Sequence, residues 1–171
     1  MGRNLLFYIA LSSTFSGCAV LYPSAPAPSE TPLERSEAPS APVRAERSEA
    51  LLRALLALGV EYRYGGSSPV TGFDCSGLVA HIYQEAWGIR LPHNAKAQSE
   101  AGVPVSLAEL QPGDLVFYDT LNRPFSHVGI YLGDGNFVYA PKSGAQVRIA
   151  SLKSSYWTQR YNGARRIESP L

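Results

Sequence analysis

The sequence predicts an α+β domain of two layers, with N-terminal helices packed on a C-terminal antiparallel β-sheet of about five strands. Apolar residues recur at helical spacing in the first half of the chain, whereas past Val103 they fall at alternate positions. The later runs are separated by turn-forming pairs and triplets: Pro112-Gly113, Gly133-Asp134-Gly135 and Ser143-Gly144. Helices gathered ahead of strands, rather than alternating with them, select α+β over a parallel α/β sheet.

A chain of 171 residues with a formal net charge of +1 suits one globular domain plus appendages. No basic stripe is interleaved with aromatics, so no nucleic acid is expected as a partner. With no evident apolar patch in the pattern, a monomer is expected.

The N-terminus reads as an export signal over residues 1–17. Arg3 precedes an apolar run from Leu5 to Leu11, which is too short for the ~20 residues that cross a bilayer. Phe15-Ser16-Gly17-Cys18 resembles the lipobox of bacterial lipoproteins, with Phe15 where leucine is usual; plain secretion is the alternative. Cleavage before Cys18 leaves that cysteine lipidated, with palmitate among its acyl groups, as the membrane attachment. Ala19 rather than aspartate resembles the outer-membrane sorting pattern, which places the protein on the periplasmic face of the outer membrane of a Gram-negative cell. Residues 18–47 are rich in Pro, Ala, Ser, Glu and Arg. Such a segment buries too little apolar surface to offset its ordering entropy, and reads as a tether.

The folded domain is expected over residues 48–171. Ser48 caps a helix over residues 49–58, with leucines at 51, 52, 55, 56 and 58 as its apolar face and Gly59 as its stop. A polar loop runs to Gly72. Next comes the helix of Cys75 to Trp87, with Leu78, Val79, Ile82, Tyr83 and Ala86 on one face and Gly88 as its close. A third short helix spans residues 94–101. Strands follow over residues 114–118, 127–132, 136–140, 146–149 and 161–167 as an antiparallel meander. The cysteine helix is expected to pack on that sheet.

Chemistry centres on Cys75. With Cys18 lipidated it has no disulfide partner, and a free thiol in an exported protein points to reactivity. At a helix start, unpaired N–H groups and the dipole bias the sulfur toward thiolate. The base is one of three histidines. His81 lies six positions on, at ~100° per residue on roughly the opposite face of the helix. His93 follows Leu91-Pro92 at the entrance to the third helix, as a capping or surface residue near the cleft rim. His127 opens a strand whose alternation sends Val128, Ile130 and Leu132 to one face and His127 to the other, with Gly129 clearing space for a docked helix end. His127 is therefore taken as the base. No cluster of His and Cys has metal-ligand spacing, and neither metal nor cofactor is expected. Tyr64 is read as packing beneath the first helix.

Tyr62-x-x-Gly65-Gly66, Asp74-Cys75-Ser76-Gly77, Leu91-Pro92, Gln111-Pro112-Gly113-Asp114-Leu115, His127-Val128-Gly129-Ile130-Tyr131 and Asn136-Phe137-Val138 resemble, in order and spacing, the NlpC/P60 cysteine peptidases. The run from Tyr156-Trp157 to Arg165-Arg166 resembles the Spr-type murein endopeptidase lipoproteins. The resemblance implies a papain-like fold and a peptidoglycan endopeptidase that cleaves stem-peptide or cross-link amides at diaminopimelate. It implies Cys75 as nucleophile and His127 as its ion-pair partner and general base/acid. Tyr62 and the Cys75 N–H would face the oxyanion, and Asp74 and Ser76 would cap the helix and contact substrate. Arg123, Arg165 and Arg166 are candidates to steer the stem carboxylates, with Arg165 taken as a substrate contact; solvated surface arginines are the plainer reading.

The family pattern has a third polar residue, most often histidine, where this chain has Tyr139. The expectation is that Tyr139 orients the imidazole through its phenol, with Asn136 and Gln146 as fallbacks. Two alternatives stay open: a wall-binding lipoprotein that no longer cuts, and an amidase or acyltransferase with the same Cys-His pair. Which stem bond is cut is also open, with the Spr-type similarity leaning to the cross-link.

Overall fold

The computed structural model describes residues 41–168. The export signal, Cys18 and the part of the tether before residue 41 lie outside the described residues. The first helix, α1 (Ala41–Leu56), begins inside the stretch expected as tether, upstream of Ser48. Its inner face also differs from the expectation. Ala50, Ala54 and Ala57 are buried, while Leu52, Leu55, Leu56 and Leu58 are exposed, Leu56 by 70%. Alanine has so little side chain that the two helix backbones can approach closely, and α1 packs on the cysteine helix through this small-residue face. Arg53 adds an exposed pair with Glu49 at 2.8 Å and reaches Glu85 of the neighbouring helix at 3.7 Å.

The loop after α1 contains a two-stranded hairpin, β1 (Ser67–Ser68) and β2 (Gly72–Phe73), which leads into α2 (Cys75–Trp87). The apolar face of α2 is the one the spacing predicts: Leu78, Val79, Ile82 and Tyr83 are buried and Ala86 packs beside them. Gly88 ends the helix at φ 67°, a left-handed conformation that costs glycine little. The Tyr83 hydroxyl donates to the Gly113 carbonyl at 2.6 Å, fastening α2 to the turn before the sheet. Helix α3 (Ala95–Gln98) is a single turn capped by Asn94.

The main sheet has six strands: β3 (Val103–Val105), β4 (Leu115–Tyr118), β5 (His127–Gly133), β6 (Asn136–Tyr139), β7 (Arg148–Ser151) and β8 (Tyr161–Arg166). Their order is β3-β8-β4-β5-β6-β7, all antiparallel. The expected meander is therefore only its central part, since β8 returns to lie between β3 and β4. Pairing distant segments is a tertiary outcome, which alternation within a strand does not report.

The sheet has two apolar faces. Leu115, Phe117, Val128, Ile130 and Val138 join the helices in one core. Val116, Tyr118, Tyr131, Phe137, Tyr139 and Ala164 form a second with Trp157, on the short helix α4 (Ser155–Thr158), which the sequence pattern did not reveal. Gly129 does not clear space for a helix end. A Cβ there would press on the Phe137 ring and the Val138 carbonyl of β6, so the glycine admits a packed phenylalanine. Among the described residues no helix is long and apolar enough to cross a membrane.

Candidate active site

Asp74, in extended conformation just before α2, organises the site. Its Oδ1 accepts from the Gly77 N–H at 2.7 Å, the Ser76 hydroxyl at 3.1 Å and His93 Nε2 at 2.8 Å, and its Oδ2 accepts from the Gly65 N–H at 2.9 Å. One carboxylate thus caps the helix, holds the preceding glycine turn and fixes His93. Gly77 is required by space. A Cβ there would collide with the Gly66 carbonyl and crowd His93 Nε2.

Asp74 and Ser76 were expected to contact substrate as well as to cap. Both are buried, and their polar side-chain atoms bond to one another, the helix cap and His93. His93, expected as a surface or helix-capping residue, instead braces the nucleophile's own cap. Gln98 of α3 is a second support that the sequence did not single out. Fully buried, it donates to the Ser76 carbonyl at 3.0 Å and the Pro92 carbonyl at 2.8 Å. An Asn-capped turn ending in a buried glutamine is the one signal that was available.

Cys75 is half-buried and carries a free thiol. The backbone N–H groups of Val128, Ser76 and Cys75 itself favour thiolate. Burial outweighs them, and the Asp74 charge adds to it, so the thiol is pushed up to about 11. Burial and the capping carboxylate thus act against the thiolate bias expected of a helix N-terminus.

Cys75 packs against the core that contains Val128 of β5, next in the chain to His127. The imidazole is almost wholly buried and pushed down to about 4 by that burial, against a smaller upward pull from Asp74. Its plane stacks on Trp157, with ring centroids 5.7 Å apart and 23° between planes, and its flank meets Tyr139 edge-on at 5.5 Å. His127 Nε2 is buried with no hydrogen-bond partner among the described residues.

Tyr139 therefore does not orient the imidazole in the expected way. Its hydroxyl accepts from Arg148 Nε at 2.8 Å, and that guanidinium lies over the phenol ring at 5.5 Å. The longer side chain carries its oxygen past His127 to the rim. Neither fallback takes its place. The Gln146 amide is spent on Glu61 at 2.7 Å, and Asn136 sits at the far end of β6, paired with Gly133 and Ser151. The group stacked on the imidazole is Trp157.

Tyr62 lies against Phe73 through an isolated bridge, and its N–H donates to the Ala145 carbonyl at 2.8 Å. Its phenol is pushed up first by burial, then by Cys75 and Asp74, so it stands within electrostatic reach of the sulfur. Tyr64, expected to pack beneath α1, is 87% exposed. His81 packs its ring on Phe73 at 5.1 Å.

The arginines near the C-terminus are structural. Arg165 donates to the carbonyls of Ser99 at 2.7 Å and Ala164 at 2.9 Å. Arg166 makes a two-pronged pair with buried Asp114 at 2.8 and 2.7 Å. Among the described residues no three His, Cys, Asp or Glu are grouped as for a metal ion.

A family model described as the NlpC/P60 family matches residues 59–166. Murein DD-endopeptidase MepH of Escherichia coli K12 is 41% identical over 138 residues, covering 79% of this chain and 51% of that protein. Gamma-DL-glutamyl hydrolase of Bacillus subtilis 168 is 42% identical over 113 residues, covering 66% of this chain and 27% of that protein. Murein DD-endopeptidase MepS/Murein LD-carboxypeptidase of Escherichia coli K12 is 43% identical over 111 residues, covering 65% and 57%. The chain thus spans between 27% and 57% of these three relatives. Among solved structures, an NlpC/P60 family protein from Bacillus cereus ATCC 10987 superposes with a TM-score of 0.66 at 35% identity, covering 70% of this chain and 39% of that one. The NlpC/p60 domain of the peptidoglycan hydrolase SagA gives a TM-score of 0.61 at 29% identity, covering 71% and 98%.

Proposed function

The chain belongs to the NlpC/P60 family, and from that premise we propose that it is a peptidoglycan endopeptidase using Cys75 and His127. The observation that carries the reading is the packing of Cys75, at the α2 N-terminus, into the same core as Val128 of β5, next in the chain to His127. MepH and MepS, named as murein DD-endopeptidases, favour the cross-link amide over the bond within one stem.

In this mechanism both groups rest neutral. As the sulfur attacks the scissile carbonyl, the thiol proton passes to His127, a carbon–sulfur bond forms, and the charge moves to the carbonyl oxygen. The Cys75 N–H and the Tyr62 hydroxyl face that oxygen. Collapse breaks the carbon–nitrogen bond, and the leaving amine takes the proton from His127. Water, losing a proton to His127, then cleaves the thioester and restores the thiol. The same reading includes export by residues 1–17, lipidation of Cys18, a tether, a monomeric domain and attachment to the periplasmic face of the outer membrane.

Digestion of purified sacculi by the protein and by its Cys75→Ala form tests this, with muropeptides identified by mass. Loss of cross-linked dimers only with Cys75 present supports it, and a new amide or transferred acyl group would indicate acyl transfer. A second reading, a wall-binding protein that does not cut, draws on the unpartnered His127 Nε2. It requires that both forms bind sacculi and release nothing.

A further inference from the structure

Next to His127 the surface opens into a pocket of about 470 Å³. Its walls include His127, Tyr139, Lys142, Arg148, Tyr156 and Trp157, and neither Cys75 nor any carboxylate is among its lining residues. It is therefore a cationic pocket, reached from the imidazole rather than from the sulfur. Neither Lys142 nor Arg148 has an ion pair among the described residues.

Arg148 is pre-positioned there. Its Nε is given to the Tyr139 hydroxyl at 2.8 Å, and the guanidinium lies over the Tyr139 ring. Held by one edge, it makes no hydrogen bond through its terminal nitrogens among the described residues. A guanidinium fixed in plane presents a two-pronged donor that fits a carboxylate, and fixing it beforehand lowers the entropy lost on binding. Lys142 adds a second positive charge at the same mouth.

The side of the substrate follows from the chemistry. The group that protonates the leaving nitrogen must touch it, so a pocket walled by His127 receives the half of the substrate that departs as an amine. We propose that this pocket binds a free carboxylate on the leaving-amine half of the scissile amide, with the Arg148 fork and the Lys142 charge. The inference rests on the reading of the chain as a stem-peptide hydrolase, whose diaminopimelate residue carries such a carboxylate. Tyr139 then acts in specificity: its hydroxyl serves the arginine, not the histidine.

The test is calorimetric titration of the full-length chain in its Cys75→Ala form with a cross-linked stem-peptide dimer. The diaminopimelate carboxylate of the amine half is either free or amidated. The free carboxylate binds about tenfold to a hundredfold more tightly than the amide, the range of a charge-assisted hydrogen-bonded pair. Arg148→Gln removes most of the preference for the free form, Arg148→Lys recovers part of the loss, and Lys142→Gln gives a smaller loss. Circular dichroism checks that each variant is folded. Equal affinity for the two dimers overturns the pocket and leaves the hydrolase reading intact. If neither dimer binds and the unmodified enzyme leaves the free dimer uncut, the substrate reading falls and the pocket with it.

Discussion

The indole of Trp157 lies nearly parallel to the imidazole of His127, 5.7 Å away and tilted by 23°. A side chain from a one-turn helix, on the same face of the sheet as the imidazole, stacks on the ring, while His127 Nε2 has no hydrogen-bond partner among the described residues. Stacking fixes the plane of the ring but not its rotation within that plane, where a hydrogen bond fixes both.

Removing the stack should release the ring. Trp157→Leu is expected to lower kcat by about tenfold to a hundredfold with a smaller change in KM, because modest misplacement of a reacting group costs that much. Trp157→Phe keeps an aromatic face and should retain most turnover. Steady-state kinetics on a soluble cross-linked dimer, with thermal melts alongside, separates lost orientation from lost fold.

Tyr139→Phe removes the hydroxyl while keeping the edge-on contact with His127. Since that oxygen is bonded to Arg148, kcat should change by less than about threefold and stability by about 1 kcal/mol, the worth of one hydrogen bond. A collapse of kcat would show that the phenol turns to the imidazole during turnover.

Acid should destabilise the fold through His127. Its native value of about 4 lies below the ordinary 6.5. The unfolded chain therefore binds the extra proton first, and stability falls as pH drops from about 6.5 to about 4, by up to about 3 kcal/mol. Urea midpoints between pH 7 and 4 measure this, and His127→Gln should flatten that part of the curve. If the two curves run parallel, the imidazole is not the group responsible.

Alkylation reports the thiol. With Cys75 pushed up to about 11, iodoacetamide should react slowly with the free enzyme near neutral pH and accelerate above pH 9. A fast reaction at pH 7 would instead reveal a resting thiolate–imidazolium pair.

Asp74→Ala combines two effects. Loss of the cap should cost about 1–2 kcal/mol. Because Asp74 raises the Cys75 thiol and also raises the imidazole, its removal should lower both, bringing the alkylation profile toward neutrality. His93→Ala leaves the carboxylate and its N–H donors in place, so it should cost less stability and leave that profile nearly unchanged.

Much of the site was legible in the sequence because it is local. A capping aspartate, a cysteine at the first helical position, an amphipathic run and a closing glycine all act within α2, and periodicity reads them directly. His127 at the head of β5 was found by the same alternation. The inner face of α1 was misread because leucine outweighs alanine in any count of hydrophobicity, whereas close helix packing favours the smaller residue. The anchoring of Arg165 was not legible because its acceptor, the Ser99 carbonyl, lies 66 residues away in the chain.

By itself the sequence determined the α+β class, the helix that presents Cys75 and the strand that presents His127, since each depends on interactions a few residues apart. Only the tertiary structure decided what surrounds the two groups. Insertion of β8 between β3 and β4 takes up Arg165 and Arg166, the return of α4 lays Trp157 on the imidazole, and β7 brings Arg148 to Tyr139. Desolvation is likewise a property of the assembled core. Burial pushes the Cys75 thiol up and the His127 imidazole down, against the local bias of a helix N-terminus.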